Sequence, residues 1–520
     1  MTKKLFTFLT LISLSVFLSA QSLEDKLVNR LRTYADAYTC SDYDCENIPS
    51  SQGQKVLAER LKDELKRLGA EDATVDDNAY VYATIKGNMK NAPTIFLSAH
   101  LDTTPDAEFN TVAPVIHTYD YNGGDIVINR ELGIILTEEG NEFLHDAIGG
   151  KVITSDGETL LGGDDKAGMA IIMTLAETFA TNPSIPHGDI RIVFTPDEEI
   201  GNSTSLLTRE KINADFGLVL DSHGFGRIVV ENFNATDFIF SVKGLSGFPG
   251  TSKRPTPYRI ASNFISNFPR DMAAYNSTGM EGYIDHHSFK TGEETIVRGR
   301  LRSFRREEMA EYKAMVKQWA DETAQDAIDA YEKAIREELE ELIKSGNPAA
   351  TALESLNFKQ MKYITVINGE VSGSAREGDP VIVFKLNDSY FNAKEVLEKY
   401  PTNYDIIKRA YEMAGVKMYP ESSRGGSDAC DITYMGIPTY NIFTGSHNEH
   451  SRDEWVSSKQ MLASYNVAYN YLTMMALQDR NGLLQEGMGM IDDEMNNLQD
   501  MINAVSADIM EKYGDSFSNL

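Results

Sequence analysis

Between residues 54 and 69, apolar side chains fall at Val56, Leu57, Leu61, Leu65 and Leu68, and Gly69 follows. That spacing lays one apolar stripe along a helix, and the glycine marks its end. Short, nearly unbroken apolar runs then recur: TIFLSAH at 94–100, IRIVFTPDE at 190–198, FGLVLDS at 216–222 and TYNIFTG at 439–445. Helical spacing lies between several of them, for example at 166–180. Strands alternating with helices predict an α/β sheet with much parallel pairing.

The pattern changes after Asn234. DFIFSVKG opens a new strand-like segment, and 305–345 reads as a long charged helix rich in Glu, Lys and Ala. SGSAREGDP at 372–380 is a loop, and from about Asn392 the composition returns to that of the first part. The spacing therefore predicts a discontinuous domain, 21–235 and 392–479, interrupted by an inserted domain at 236–391. A tail at 480–520, with Met488, Ile491, Met495, Leu498 and Met501, predicts an appended amphipathic helix whose apolar face serves packing.

The first residues carry a different signal. Lys3 and Lys4 precede an apolar run at 5–18, and Ala20 stands before polar Gln21. This is the layout of a secretory signal over 1–20, and the run is short for a membrane span. A secreted or periplasmic mature chain, not held in a membrane, is expected. The formal net charge of −29 gives a field that repels phosphate backbones and disfavours nucleic acid as a partner. Cys40 and Cys45 in YTCSDYDCEN either close a local disulfide outside the cytoplasm or stay as two free thiols, whereas Cys430 reads as core.

Candidate chemistry clusters at the ends of the apolar runs. SAHLDTTPD puts His100 and Asp102 two apart, on one face of a continuing strand. LLGGDDKAGMA delivers Asp164 and Asp165 through a Gly-Gly turn to the start of a helix, where a carboxylate either bridges two cations or merely caps. IVFTPDEEIG ends in adjacent Glu198 and Glu199, whose side chains diverge, so that one can bind metal while the other acts as a base. LVLDSHG supplies Asp221, and GSHNEHSRDEW supplies His447 and His450. Each cluster is weak alone, but carboxylates at strand ends of an open α/β sheet lie where sites form. Neither G-x-S-x-G nor H-E-x-x-H occurs, which disfavours serine-hydrolase and single-zinc helix chemistry.

The ordered series HLDTTPD, GGDIVI, DGETLLGGDDKAG, FTPDEEIG, ENFNA, RGGSDA and NIFTG…H resembles the peptidase T tripeptide aminopeptidases. They form part of a dinuclear-zinc family that also holds aminoacylases and carboxypeptidases. The likeness runs over most of 23–477. It implies a zinc-peptidase catalytic domain with a mixed, largely parallel sheet and an inserted α/β lid of the dimerisation type, so a homodimer is compatible. It implies two zinc ions, with cobalt or manganese able to substitute. His100, Asp164 and Asp221 would serve one ion, and Asp164, Glu199 and His450 the other. Asp102 would orient His100 and Glu198 would be the general base. Arg302, Arg424, Gly425, Gly426 and Asn448 match positions that bind substrate, a short peptide.

The chain also departs from that pattern. Relatives carry His-Pro-Gly-Thr in the lid, and here GFPGTSK puts Phe248 at the histidine. A phenyl ring donates no hydrogen bond, and losing one oxyanion donor costs on the order of 10²–10³ in rate. Another donor, such as His286 or His287, replaces it, or activity is weak or retuned, or the chain is a non-catalytic peptide- or metal-binding relic. A carboxypeptidase or deacylase of the same family is the other alternative. Further departures are extra sequence around 334–379 and the secretory signal itself.

Overall fold

The four apolar runs form the strands Ile95–His100, Ile190–Thr195, Phe216–Ser222 and Thr439–Phe443. In the computed structural model, which describes residues 22–245, 253–292, 294–345 and 360–487, they lie at the centre of an eight-stranded sheet. Their order is 190–195, 95–100, 216–222, 439–443, and each neighbouring pair is parallel. Val81–Ile85 and Thr74–Val75 add antiparallel strands at one side, and Arg227–Asn232 pairs antiparallel with Thr439–Phe443 at the other. The sheet is thus mixed, with a parallel middle. Ile95–His100 and Thr439–Phe443 are buried along their whole length. Strands covered on both faces need apolar residues on both, which is why they read as runs and not as alternation.

Helices Gln52–Arg67, Gly163–Thr181, Pro401–Ala414 and Ser458–Met475 cover the sheet. Of the stripe read from the sequence, Leu57, Leu61 and Leu65 are fully buried, each contributing about 2 kcal/mol by leaving water, whereas Val56 is exposed. Ser457 starts the last of these helices by accepting the Gln460 N–H at its side-chain oxygen.

Among the described residues the chain divides into two compact units. One takes the residues up to Val230, Ala393–Glu421 and those from Ser427; the other takes Glu231–Asn392 and Ser422–Gly426. The short return at 422–426 carries no signal in the sequence. The second unit has its own six-stranded sheet, in the order Tyr283–Lys290, Glu294–Ser303, Asn234–Lys243, Val381–Tyr390, Lys362–Ile367, Glu370–Ser372. Only the pairing of Lys362–Ile367 with Val381–Tyr390 is parallel. Helices Pro257–Ile265 and Arg306–Lys344 pack on it around Phe238, Phe240, Phe264 and Phe384. The extra sequence around 334–379 supplies the end of the long helix and two of these strands.

The signal segment 1–20, Phe248 and residues 488–520 of the expected terminal helix lie outside the described residues; 480–487 are helical. Among the described residues no helix is long and apolar enough to cross a membrane. The Cys40–Cys45 disulfide is not formed, and both thiols are free. Their sulfurs have different surroundings: Cys40 Sγ lies 3.7 Å from the Thr104 carbonyl, in a stretch bridged to Thr103, whereas Cys45 Sγ faces Asn47.

Candidate metal centre

His100 closes its strand, and its imidazole is 2% exposed. Nδ1 lies 3.3 Å from Asp102 Oδ1, while Nε2 lies 2.8 Å from Asp164 Oδ1 and 3.7 Å from Asp221 Oδ1. Asp102 does more than face the ring. Its two oxygens accept the backbone N–H groups of Glu198 and Glu199 at 3.0 and 3.1 Å. One buried carboxylate therefore ties the His100 strand to the turn that carries both glutamates.

Asp164 reaches the site by a turn that is not yet helix. Gly162 is left-handed at φ +71°, and Asp164 itself is extended (φ −79°, ψ 110°), so regular helix begins only past Asp165. The sequence placed Asp164 at the helix start; the turn is instead held from outside. Glu454, fully buried, accepts the N–H groups of Gly162 and Asp164 at 2.9 and 3.0 Å. The Asp164–Asp165 peptide is cis. Asp164 Oδ1 faces His100 and Oδ2 lies 3.5 Å from His450 Nε2, so one carboxylate addresses two histidines.

Glu198 and Glu199 do not extend their strand, which stops at Thr195. Asp197 turns the chain through a left-handed conformation (φ +57°) into a short 3₁₀ turn, Glu198–Ile200. Its carboxylate accepts the Ser50 N–H at 2.7 Å and the Gln54 side-chain amide at 2.6 Å. Asp428 holds the other side by accepting the Thr195 and Ser203 hydroxyls. Glu199 Oε2 then lies 3.0 Å from His450 Nε2.

Two donor groups result: His100, Asp164 and Asp221, and Asp164, Glu199 and His450, the ligand atoms of each lying within 4.8 Å of one another. The donor set fits a pair of divalent cations. No Lys or Arg among the described residues contacts Asp164, Asp221, Glu198 or Glu199. Burial, then the Asp164 charge, pushes Glu199 up to about 7 against the pull of His450. Burial also raises Asp221. It holds Glu198 well above the usual carboxylate range, opposed by the His100 charge and helped by those of Asp221, Asp428 and Glu199. Asp164 goes the other way: burial opposes its charge, but His100 and His450 keep it well below that range. Oxygen-rich ligation with one imidazole per position suits zinc and neighbouring divalent metals. Glu198 belongs to neither group.

The remaining residues singled out in the sequence lie elsewhere. Asn448 gives its side-chain amide to Asp453 Oδ2 at 2.9 Å within its own loop and to Asn141 Oδ1 at 2.8 Å in a distant stretch of the chain. Arg302 and Arg424–Gly426 belong to the second unit. Arg302 is buried, donates to the carbonyls of Leu301 and Thr236, and lies over the Tyr390 ring. Arg424 donates to the carbonyls of Gly279 and Glu281 and to Ser277, with its guanidinium 5.0 Å from the Phe233 ring centre. Gly426 backs onto Tyr390, where a Cβ would come within 2.7 Å of the ring, and Gly425 has open surroundings. His447 is core: it stacks between Trp455 and Phe143, and burial pulls it down to about 4. In the second unit, His286 packs edge-on against Phe268, and His287 is exposed.

Three supports were not singled out in the sequence: Glu454, Asp428 and the pair His223–Glu449, 3.1 Å apart. Each stands inside a stretch already marked by a ligand or by RGGSDA, but nothing in its spacing says which backbone it will meet.

Residues 160–474 match peptidase family M20/M25/M40. The chain is 35% identical over 450 residues to peptidase T of Geobacillus kaustophilus, an alignment covering 86% of this chain and 97% of that one. Its fold is similar to the crystal structure of aminopeptidase PepT from Bacillus cereus, at TM-score 0.57 and 20% identity over 87% of this chain and 99% of that one. It is equally similar to a tripeptidase from Staphylococcus aureus, at TM-score 0.57 and 19% identity over 88% and 99%.

Proposed function

The chain belongs to peptidase family M20/M25/M40, and from that premise we propose that it is a two-zinc aminopeptidase that removes the first residue of short peptides, tripeptides among them, with Glu198 as its general base. The observation that carries this reading is the sharing of Asp164 between two histidine-carboxylate donor groups, with a half-buried glutamate beside them that joins neither. His100, Asp164 and Asp221 would hold one ion, and Asp164, Glu199 and His450 the other. Cations there supply Lewis acidity toward the scissile carbonyl and acidify the attacking water. Glu198 takes a proton from that water at its carboxylate and gives it to the departing amine, a role suited to a carboxyl whose pKa burial has raised. Asp102 keeps His100 and the Glu198–Glu199 turn in register. Export to the periplasm or medium, read from Lys3, Lys4 and the apolar run at 5–18, belongs to the same proposal.

The test is zinc-dependent release of the first residue from a panel of free and end-blocked tripeptides. Free peptides are expected to be cut, and Glu198→Ala to lower kcat by about 10²–10⁴. Cleavage of amino-blocked peptides alone would reject the aminopeptidase. Equal turnover by Glu198→Ala would remove the assigned base.

A further inference from the structure

The two histidines of the centre are held in different ways. His100 is buried and its Nδ1 faces Asp102. The imidazole of His450 is 42% exposed, and among the described residues no hydrogen bond reaches its Nδ1. Its place therefore depends on its backbone, and that backbone is unusual. Asn448 (φ +55°) and His450 (φ +61°) are both left-handed without being glycine. Asn and His adopt this region more readily than other side chains, but two such residues so close together need the surroundings to hold them.

Two tethers impose them here. Asn448 is bound through its amide to Asn141 and Asp453, and its carbonyl accepts the Ser451 hydroxyl at 2.6 Å. Between the two left-handed residues stands Glu449, whose carboxylate is 14% exposed and lies 3.1 Å from His223 Nδ1. His223 follows Asp221 by two residues, just past the end of the Phe216–Ser222 strand. The pair thus joins the segment that presents Asp221, a donor of the first group, to the segment that presents His450, a donor of the second.

We infer that His223 and Glu449 are positioning residues that fix His450, and with it the second cation position, relative to the Asp221 side of the centre. The inference rests on the two-cation reading above. It makes the second group, Asp164–Glu199–His450, the one that suffers when the pair is broken. The first group has supports that do not pass through the pair: the Asp102 contact to the His100 ring and the bond from Asp221 N–H to Asn441 Oδ1 at 3.0 Å.

The experiment is a cobalt titration of the metal-free full chain, read by visible absorption and by calorimetry. It compares wild type, His223→Ala, Glu449→Ala, the double variant and His223→Gln, which keeps a polar side chain toward Glu449. Wild type is expected to take two ions in separable steps. Each alanine variant should bind the first ion as wild type does and the second at least tenfold more weakly, the scale on which supporting partners act. The double variant should be no worse than either single one, and His223→Gln should recover part of the loss. Wild-type affinity for both ions in both single variants overturns the clasp, as does equal weakening of both steps or additive losses in the double variant. A wild type that takes fewer than two ions overturns the two-cation reading and the clasp with it. Thermal melting of the metal-free proteins separates misfolding from the proposed effect: a variant that melts like wild type yet binds one ion normally has lost position, not fold.

Discussion

At the scale of single residues, the centre depends on buried carboxylates that bind no cation themselves. Asp102 serves three groups at once: the His100 ring and the two glutamate N–H groups. Asp102→Asn keeps the size but replaces one acceptor oxygen with a donor, which then opposes an N–H or the ring. We expect kcat/KM on a tripeptide to fall about 10–100-fold, with zinc affinity reduced in parallel. Steady-state kinetics and competition with a chromogenic chelator measure both, and a variant within twofold of wild type in each would show that Asp102 supports nothing. His100, Asp164, Glu199, Asp221 and His450 stand at the ends of apolar runs, but so do Asp165 and His447, and only the resemblance to peptidase T separated the one set from the other. Glu454 was not legible, although it lies four residues past His450. What it does is accept two N–H groups nearly 300 positions earlier, and a backbone partner leaves no mark on a sequence.

At the scale of elements, apolar runs translated directly into strands, and the turns between them did not. The IVFTPDEE stretch reads as one strand to its end, yet the chain breaks after Thr195 because Asp197 is captured by Ser50 and Gln54 from another element. The same limit holds in the second unit. Its long charged helix was visible, but not that Lys313 on it would pair with Asp388 on the strand Val381–Tyr390. Asp388 also accepts Thr236 Oγ1 at 2.6 Å and Asn368 Nδ2 at 2.9 Å. Burial alone would raise its pKa, but Lys313 and these donors lower it below 3.8. The sign follows: a carboxyl with a depressed folded pKa adds stability above the unfolded value, and that stability is lost as pH falls through the folded one. Asp388→Asn is therefore expected to lose about 1.5–3 kcal/mol at pH 5–7, the range for hydrogen bonds involving a charged group. The gap to wild type should close as pH drops below about 4. Urea unfolding at several pH values checks this, and a gap that stays constant or widens in acid contradicts it.

For the whole molecule, the discontinuous layout places every candidate ligand and Glu198 in the first unit, around the core of Leu97, Ile172, Leu218 and Ile442. The second unit has a separate core and none of these groups. The return of composition near Asn392 pointed to an insertion at 236–391, and the second unit runs over Glu231–Asn392. The brief return of Ser422–Gly426 to the second unit was not legible, since five residues are too few to carry a period. This division makes metal binding a local stabiliser. A ligand bound only by folded protein at a thousandfold its Kd adds about 4 kcal/mol. Spread over a domain of this size, that raises its melting point by on the order of 10 °C. Calorimetry of the full chain with zinc and then with a chelator should lower the transition of the first unit by such an amount and leave that of the second in place. His450→Ala should show a smaller chelator shift than wild type, because one donor group has lost its imidazole. If the chelator moves both transitions equally, or neither, the cations are not held where the His100, Glu199 and His450 side chains converge.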